Sequence, residues 1–435
     1  MLKSKPKIAK ILIVILSLLI CLQKPLYTAN RQPKELPTRL AVLEEDIIVE
    51  TKQIEDLFYK RGKLYEDTAI IDYINKIEAK TISHISPDEN INIEIKIIRD
   101  PAVNAFAMAN GSIYIHTGAL ARLENEAQLS FLLAHESSHV IKKDMVYYVD
   151  SHHKKTIVYK LFDIVLAPTS VFFGILGDLT QMGFFLLHAS TLTGYGRRIE
   201  ARADKDGIAW ATEAGYDPRE AVGIMEIFLN EKEKYQKGQE IFFLMDHPTS
   251  KWRLEKLRKV ITKEFGDERG DETKSEEFLK NMVKIKLYNA TLNIKWDRLE
   301  HARDNIQWIL EKFPQNAKAH YLAGEIYRLK AEDKNRLRDE LSRKEWAKLN
   351  KGAKKDTLEE GWRNKAMDEY ELAMECDCNY ADPHKGLALL HRLKNDRENA
   401  LEELEMYLEI SPNACDKRYV KSLIKRLGKP EKAKK

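Results

Sequence analysis

Acidic side chains are missing from the first 29 residues, cysteine is scarce, and no uncharged apolar run is long enough to span a bilayer cleanly. The acid-free stretch carries Lys3, Lys5, Lys7, Lys10 and Lys24. The net charge of +4 therefore belongs to it, since the rest of the chain holds 67 basic against 68 acidic side chains. A body so nearly neutral excludes a general nucleic-acid binder. Of the four cysteines in 435 residues, Cys21 lies in the apolar part of the leader. Cys376, Cys378 and Cys415 cannot all pair within one chain. Export would permit one disulfide, and idle thiols fit the sequence equally well. At 43% hydrophobic and 32% charged, the chain is too polar for a membrane bundle and too apolar for disorder. Its length suits two or three domains.

The leader has the layout of an export signal. Lys3 to Lys10 form a positive end, and Ile11 to Leu22 is apolar apart from Ser17. Twelve residues are too few to cross a bilayer comfortably and fit a secretory segment. Tyr27-Thr28-Ala29 offers a cleavage site in which Tyr27 is bulky. The expectation is a signal peptide over 1–29 and a periplasmic protein, or one on the outer face of a membrane if the leader is retained.

Residues 30–50 read as polar and irregular, and 51–82 as helices. Ile91, Ile93, Ile95 and Ile97 alternate with polar residues, which predicts a half-buried strand. Asn110-Gly111 between two apolar-rich runs predicts a hairpin, because both residues tolerate positive φ. Leu129, Leu132, Leu133, Val140 and Ile141 set a helix over 125–142. Residues 156–192 are apolar but broken by Lys160, Asp163, Pro168 and Asp178. They read either as a lip making peripheral membrane or client contact, or as a buried helical hairpin. Helices are expected over 198–213 and 218–235, with Gly215 stopping the first. Residues 264–276 read as a linker.

In the last third, Ala302 precedes Pro314 by 12 residues, Ala366 precedes Cys378 by 12, and Ala400 precedes Pro412 by 12. Ala366 and Ala400 are 34 apart, the tetratricopeptide period. Gly324 and Tyr327 fit that repeat's first helix. A charged insertion, 332–361, interrupts the second repeat. Three stacked helix pairs would leave a concave surface for a partner.

The sharpest signal is His135-Glu136-Ser137-Ser138-His139 on the 125–142 helix. Residues four apart share a helix face, so both imidazoles can grip one ion. Zinc favours such nitrogen ligands and keeps a water position open in catalytic sites. Glu136 lies beside the pair and can act as general base. Glu200 is the candidate third ligand, with Asp204 on the same face able to orient an imidazole. Small Ala203 and Gly207 would let their helix pack closely on the first. The competing reading is a solvated charged helix, given Arg197, Arg198, Arg202 and Lys205. His247, before Pro248, reads either as an oxyanion donor or zinc cap, or as an ordinary helix-entry histidine.

Together, NAFAMANGSIYIHTGAL, HESSH, the Glu200–Asp204 helix with Gly207, and His247-Pro248 with Arg253 resemble the zinc endopeptidases of the HtpX and CAAX-prenyl type, peptidase family M48. The leader and repeats are most similar to a periplasmic branch of that family. The resemblance implies one zinc ion on His135, His139 and Glu200, with Glu136 as base, Asp204 behind the ligands and His247 lining the site. It also implies that the strand Asn104, Ala105, Phe106 and Ala107 holds substrate by strand addition. Ser137 and Arg202 depart from the family pattern, which more often has an apolar residue and an acid there.

The expected architecture is an α+β zincin-like metallopeptidase domain over 30–263, mostly helical with a small sheet. An all-α tetratricopeptide-repeat domain would follow over 277–435. The expected function is an exported zinc metalloendopeptidase acting on misfolded or stalled envelope proteins. Its repeats would dock partners such as outer-membrane assembly machinery. Two alternatives stand beside it: a chaperone or scaffold with a gated peptidase site, and a membrane-embedded protease processing lipidated peptides.

Overall fold

A computed structural model describes residues 37–85, 92–151, 194–234, 251–266, 270, 275–332 and 354–428. The leader, 156–192 and His247 lie outside the described residues. The chain divides into two compact units, 1–282 and 283–435. Among the described residues no helix is long and apolar enough to cross a membrane.

The first unit opens with α1 (Thr38–Lys60) and α2 (Thr68–Ile82). The early half of α1 corrects the expectation of irregular chain over 30–50. Leu40, Ile47, Thr51, Ile54 and Phe58 are its buried face, a three-to-four-residue spacing that Glu44, Glu45 and Asp46 obscure in the sequence. Strands β1 (Glu94–Ile98), β2 (Ala105–Ala107) and β3 (Ser112–His116) form a sheet in the order β1-β3-β2. β1 runs parallel to β3, and β2 antiparallel to it, with Phe106 opposite Tyr114. The Asn110-Gly111 turn does join β2 to β3, and of the two only Gly111 takes positive φ. A Cβ there would meet the Asn92 carbonyl at 2.0 Å, so the turn admits no side chain.

β1 is not half-buried as its alternation implied. Only Glu94 is exposed, and Lys96 is buried with Ile95, Ile97 and Ile98. Lys96 reaches Glu55 of α1 and donates to Ser112 Oγ at 3.1 Å. That pairing satisfies its charge, and burial lowers its pKa to about 8.

After the short α3 (Thr117–Leu120) comes α4 (Glu126–Ile141), the central helix. Asn125 caps it by accepting from the Gln128 amide at 2.9 Å. Fifteen of its residues are buried, because α2, α6 and α7 surround it. α5 (Asp144–Ser151), α6 (Gly194–Glu213), α7 (Glu220–Lys234) and α8 (Lys251–Glu264) complete the unit. Gly215, at φ +92°, ends α6 in the left-handed conformation.

Helix α9 (Glu276–Lys295) carries the chain into the second unit. There follow α10 (Leu299–Lys312), α11 (Ala317–Glu332), α12 (Lys354–Cys376), α13 (Asp382–Leu393), α14 (Arg397–Ile410) and α15 (Lys417–Leu427). The charged stretch 332–361 is not wholly an insertion between helices, since its last residues form the start of α12. Ala302, Ala366 and Ala400 are all fully buried. Tyr370 of α12 lies between Gly324 of α11 and Gly386 of α13, where an added Cβ would stand 2.5 and 2.4 Å from its ring. Two glycines thus make room for one large side chain. Cys376, Cys378 and Cys415 are free thiols.

Behind the motif, Ser137 donates to Glu78 of α2 at 3.4 Å. Burial pushes the Glu78 carboxyl up to about 7, and the Ser137 hydroxyl opposes part of that rise. A carboxyl with a raised folded-state pKa contributes stability while protonated. That contribution is lost as pH climbs from about 4.5 to about 7. Replacing Glu78 with Gln should therefore raise the thermal midpoint at pH 8 and leave it little changed at pH 4, as read by calorimetry.

Candidate metal centre

One turn of α4 separates His135 from His139, and both side chains point toward α6. The two helices approach closely because α6 is small there: Ala203 is fully buried, and a Cβ on Gly207 would sit 3.1 Å from the Phe131 ring. This close approach brings Glu200 to the two imidazoles. Nε2 of His135 lies 3.2 Å from Nε2 of His139. Glu200 stands 3.5 Å from the first nitrogen and 3.7 Å from the second. The three residues form a group whose donor atoms all lie within 4.8 Å of one another. Two nitrogens bound at about 2.0–2.1 Å to a tetrahedral zinc ion would stand roughly 3.3 Å apart. The donor set therefore fits a zinc ion without rearrangement of either helix.

The outer nitrogens are held as well. Nδ1 of His139 is 2.8 Å from Asp144 Oδ2, and Nδ1 of His135 is 3.2 Å from Asp204 Oδ1. A carboxylate only accepts, so Nδ1 of His139 donates to Asp144, and the Nε2 atoms of both rings face inward. Asp204 in turn accepts from Arg253 of α8, with Nε at 2.9 Å. The same guanidinium lies 3.0 Å from Glu200 and is 2% exposed. Arg202 pairs with Asp144. The Arg202 departure from the family pattern thus serves a carboxylate that holds a candidate ligand.

The titration behaviour follows this arrangement. Burial would lower the His135 pKa, but its contacts with Asp204 and Glu200 outweigh that and raise it to about 9. Burial would raise the Asp204 pKa, but Arg253 and His135 hold it below the ordinary carboxylate value. The ring of carboxylates thus favours positive charge at the Nε2 position, whether a proton or a metal cation. Glu136 is fully buried, one residue from His135.

Of the sequence-expected site residues, His135, His139 and Glu200 converge, Asp204 backs His135, and Glu136 adjoins them. His247 lies outside the described residues. In the strand expected to hold substrate, Asn104, Ala105 and Phe106 bury their side chains, and Ala107 does so in part. What β2 offers is backbone, as the edge strand among the described ones, alongside α4. Sequence reasoning missed Asp144 and gave Arg253 no role. Asp144 follows a sharp turn in which Lys143 takes φ of 53°, so helical spacing did not reach it. Arg253 is 49 residues from Asp204, and only folding joins them.

Residues 74–261 match the family model described as Peptidase family M48. Three relatives are each 27% identical. The mitochondrial metalloendopeptidase OMA1 of Schizosaccharomyces pombe aligns over 43% of this chain and 52% of its own length. The beta-barrel assembly-enhancing protease of Escherichia coli K12 aligns over 45% and 39%. The metalloendopeptidase OMA1 of Saccharomyces cerevisiae aligns over 40% and 49%. The chain spans about half or less of the length of these curated relatives. Residues 74–261 are a peptidase family M48 domain.

Outer carboxylates of this kind set ligand orientation, and losing one typically costs 10–100-fold in metal affinity. Asp144→Ala should weaken zinc binding by about that factor, measured by competition with a chromogenic chelator.

Proposed function

We propose that this protein is a zinc-dependent endopeptidase. The observation that carries the reading is the convergence of two Nε2 atoms and a Glu200 oxygen from neighbouring buried helices, with buried Glu136 next to His135 in the chain. His135, His139 and Glu200 would hold the ion. Zinc bound there supplies Lewis acidity for the attacking water and the scissile carbonyl.

The remaining work falls to the chain. Glu136 takes a proton from the attacking water and delivers it to the departing amine. Its burial keeps bulk water from competing for that proton. Asp144 and Asp204 fix the two imidazoles through Nδ1. Arg253 neutralises Asp204 and steadies Glu200. The outer edge of β2, an edge strand among the described residues, accepts a peptide in extended form, pairing backbone to backbone. Such pairing reads chain conformation more than side chains, which suits unfolded polypeptides as substrates.

The export-like leader supports action outside the cytoplasm, in the envelope, on misfolded or stalled proteins. The paired helices of the second unit, with the 34-residue spacing of Ala366 and Ala400, support a tetratricopeptide-type array that docks partners. The gated-scaffold reading rests on the repeat array together with a zinc-capping role for His247, and the membrane-embedded reading on 156–192. The repeat array serves the peptidase and scaffold readings alike, and His247 and 156–192 lie outside the described residues.

The test is cleavage of an unfolded protein such as reduced casein. Glu136→Gln should lower turnover by 10²-fold or more while zinc content stays at one ion per chain, and a chelator should abolish wild-type cleavage. Unchanged cleavage by Glu136→Gln would contradict the assignment.

A further inference from the structure

Charge in this chain is segregated at its far end. Residues 417–435 hold nine basic side chains and one acidic. Residues 30–416 hold 58 basic and 67 acidic. Within the basic stretch, α15 contains Lys417, Arg418, Lys421, Lys425 and Arg426 and no acid.

The two faces of α15 differ. Val420 and Leu423 are buried, and with Ile424 and Leu427 they pack against Leu404 and Tyr407 of α14. The opposite side is wet: Arg418, Lys421, Lys425 and Arg426 are exposed, and Tyr419 is 52% exposed beside them. The spacing 418, 421, 425 places these cations on one stripe.

Several buried or half-buried cations elsewhere in the second unit are engaged. Arg328 pairs with Glu325 and Glu332, Lys330 with Glu300, and Lys385 with Asp416. Among the described residues, none of the four α15 cations has a carboxylate partner. Arg426 donates only to the backbone oxygen of Ser422, its own helix neighbour. Among the described residues, folding therefore brings no carboxylate to these four adjacent charges, and only the helix C-terminus, near Lys425 and Arg426, favours any of them.

We propose that this face of α15 docks on an anionic phospholipid surface. The helix has spent its apolar side on α14, so it does not insert. It lies on the headgroups and contributes fixed positive charge, about 1 kcal/mol per cation near such a surface, or about five-fold each. Tyr419 supplies the one amphipathic ring that settles at the headgroup boundary. The remainder of residues 30–416 is net acidic and adds no attraction to the same surface. A dispersed anionic plane suits a stripe of long side chains better than one shaped acidic partner does. This membrane contact is independent of the peptidase reading and of 156–192.

The experiment is co-sedimentation of residues 30–435 with vesicles. Phosphatidylcholine alone is compared with phosphatidylcholine containing 30% phosphatidylglycerol. Wild-type protein should bind only the anionic vesicles, and less as salt rises. The exposed-residue variant Arg418→Gln/Lys421→Gln/Lys425→Gln/Arg426→Gln should bind at least a hundred-fold more weakly, with unchanged circular dichroism and zinc content. Tyr419→Ala should lose a few-fold. Equal binding by the quadruple variant, no wild-type binding to anionic vesicles, or tighter binding to a poly-glutamate peptide than to vesicles would each overturn the proposal.

Discussion

Buried negative charge organises the first unit. Glu136, Asp144, Glu200 and Asp204 are all withdrawn from water where α4 meets α6. One fully buried guanidinium, Arg253, stands among them, and partly exposed Arg202 covers the rim. Carboxylates so placed are stable only when cations and hydrogen bonds answer them. The arginines answer part of the charge. The inward-facing Nε2 atoms define where the rest is answered, at a point suited to one divalent ion. The packing of α6 on α4, the position of α8 and the turn into α5 all follow from closing this ring.

Arg253 has a particular place in that ring. It joins Asp204, which backs one imidazole, to Glu200, which faces both. Arginine suits this role because its planar fork engages two acceptors in fixed directions and keeps its charge when buried. Asp144 and Arg202 form the equivalent arrangement on the His139 side. The site is thereby gripped from two directions. Neither imidazole depends on the ion alone for its orientation.

Much of this was legible in the sequence, for reasons that lie in range. His135, Glu136 and His139 are spaced by one helical turn, and Glu200 and Asp204 by another. Periodicity finds such sets because the helix supplies the geometry. The Asn110-Gly111 turn was legible because Gly111 needs a conformation that few residues adopt. Asp144 was not legible, because it lies past a positive-φ turn at Lys143. The pairing of Arg253 with Asp204 and Glu200 was not legible, since it joins two helices that only folding brings together. The half-buried reading of β1 failed at Lys96, whose charge looked like a solvent marker yet is met by Glu55. The first turns of α1 failed likewise, because three consecutive acids masked the buried spacing.

The account stands on one cation held by side chains from two helices. X-ray absorption at the zinc edge, on protein prepared without added metal, tests this most directly. It should give one zinc per chain in a shell of two imidazole nitrogens and carboxylate or water oxygen, at about 2.0–2.2 Å. Sulfur in that shell, a single imidazole, or no stoichiometric metal would contradict it.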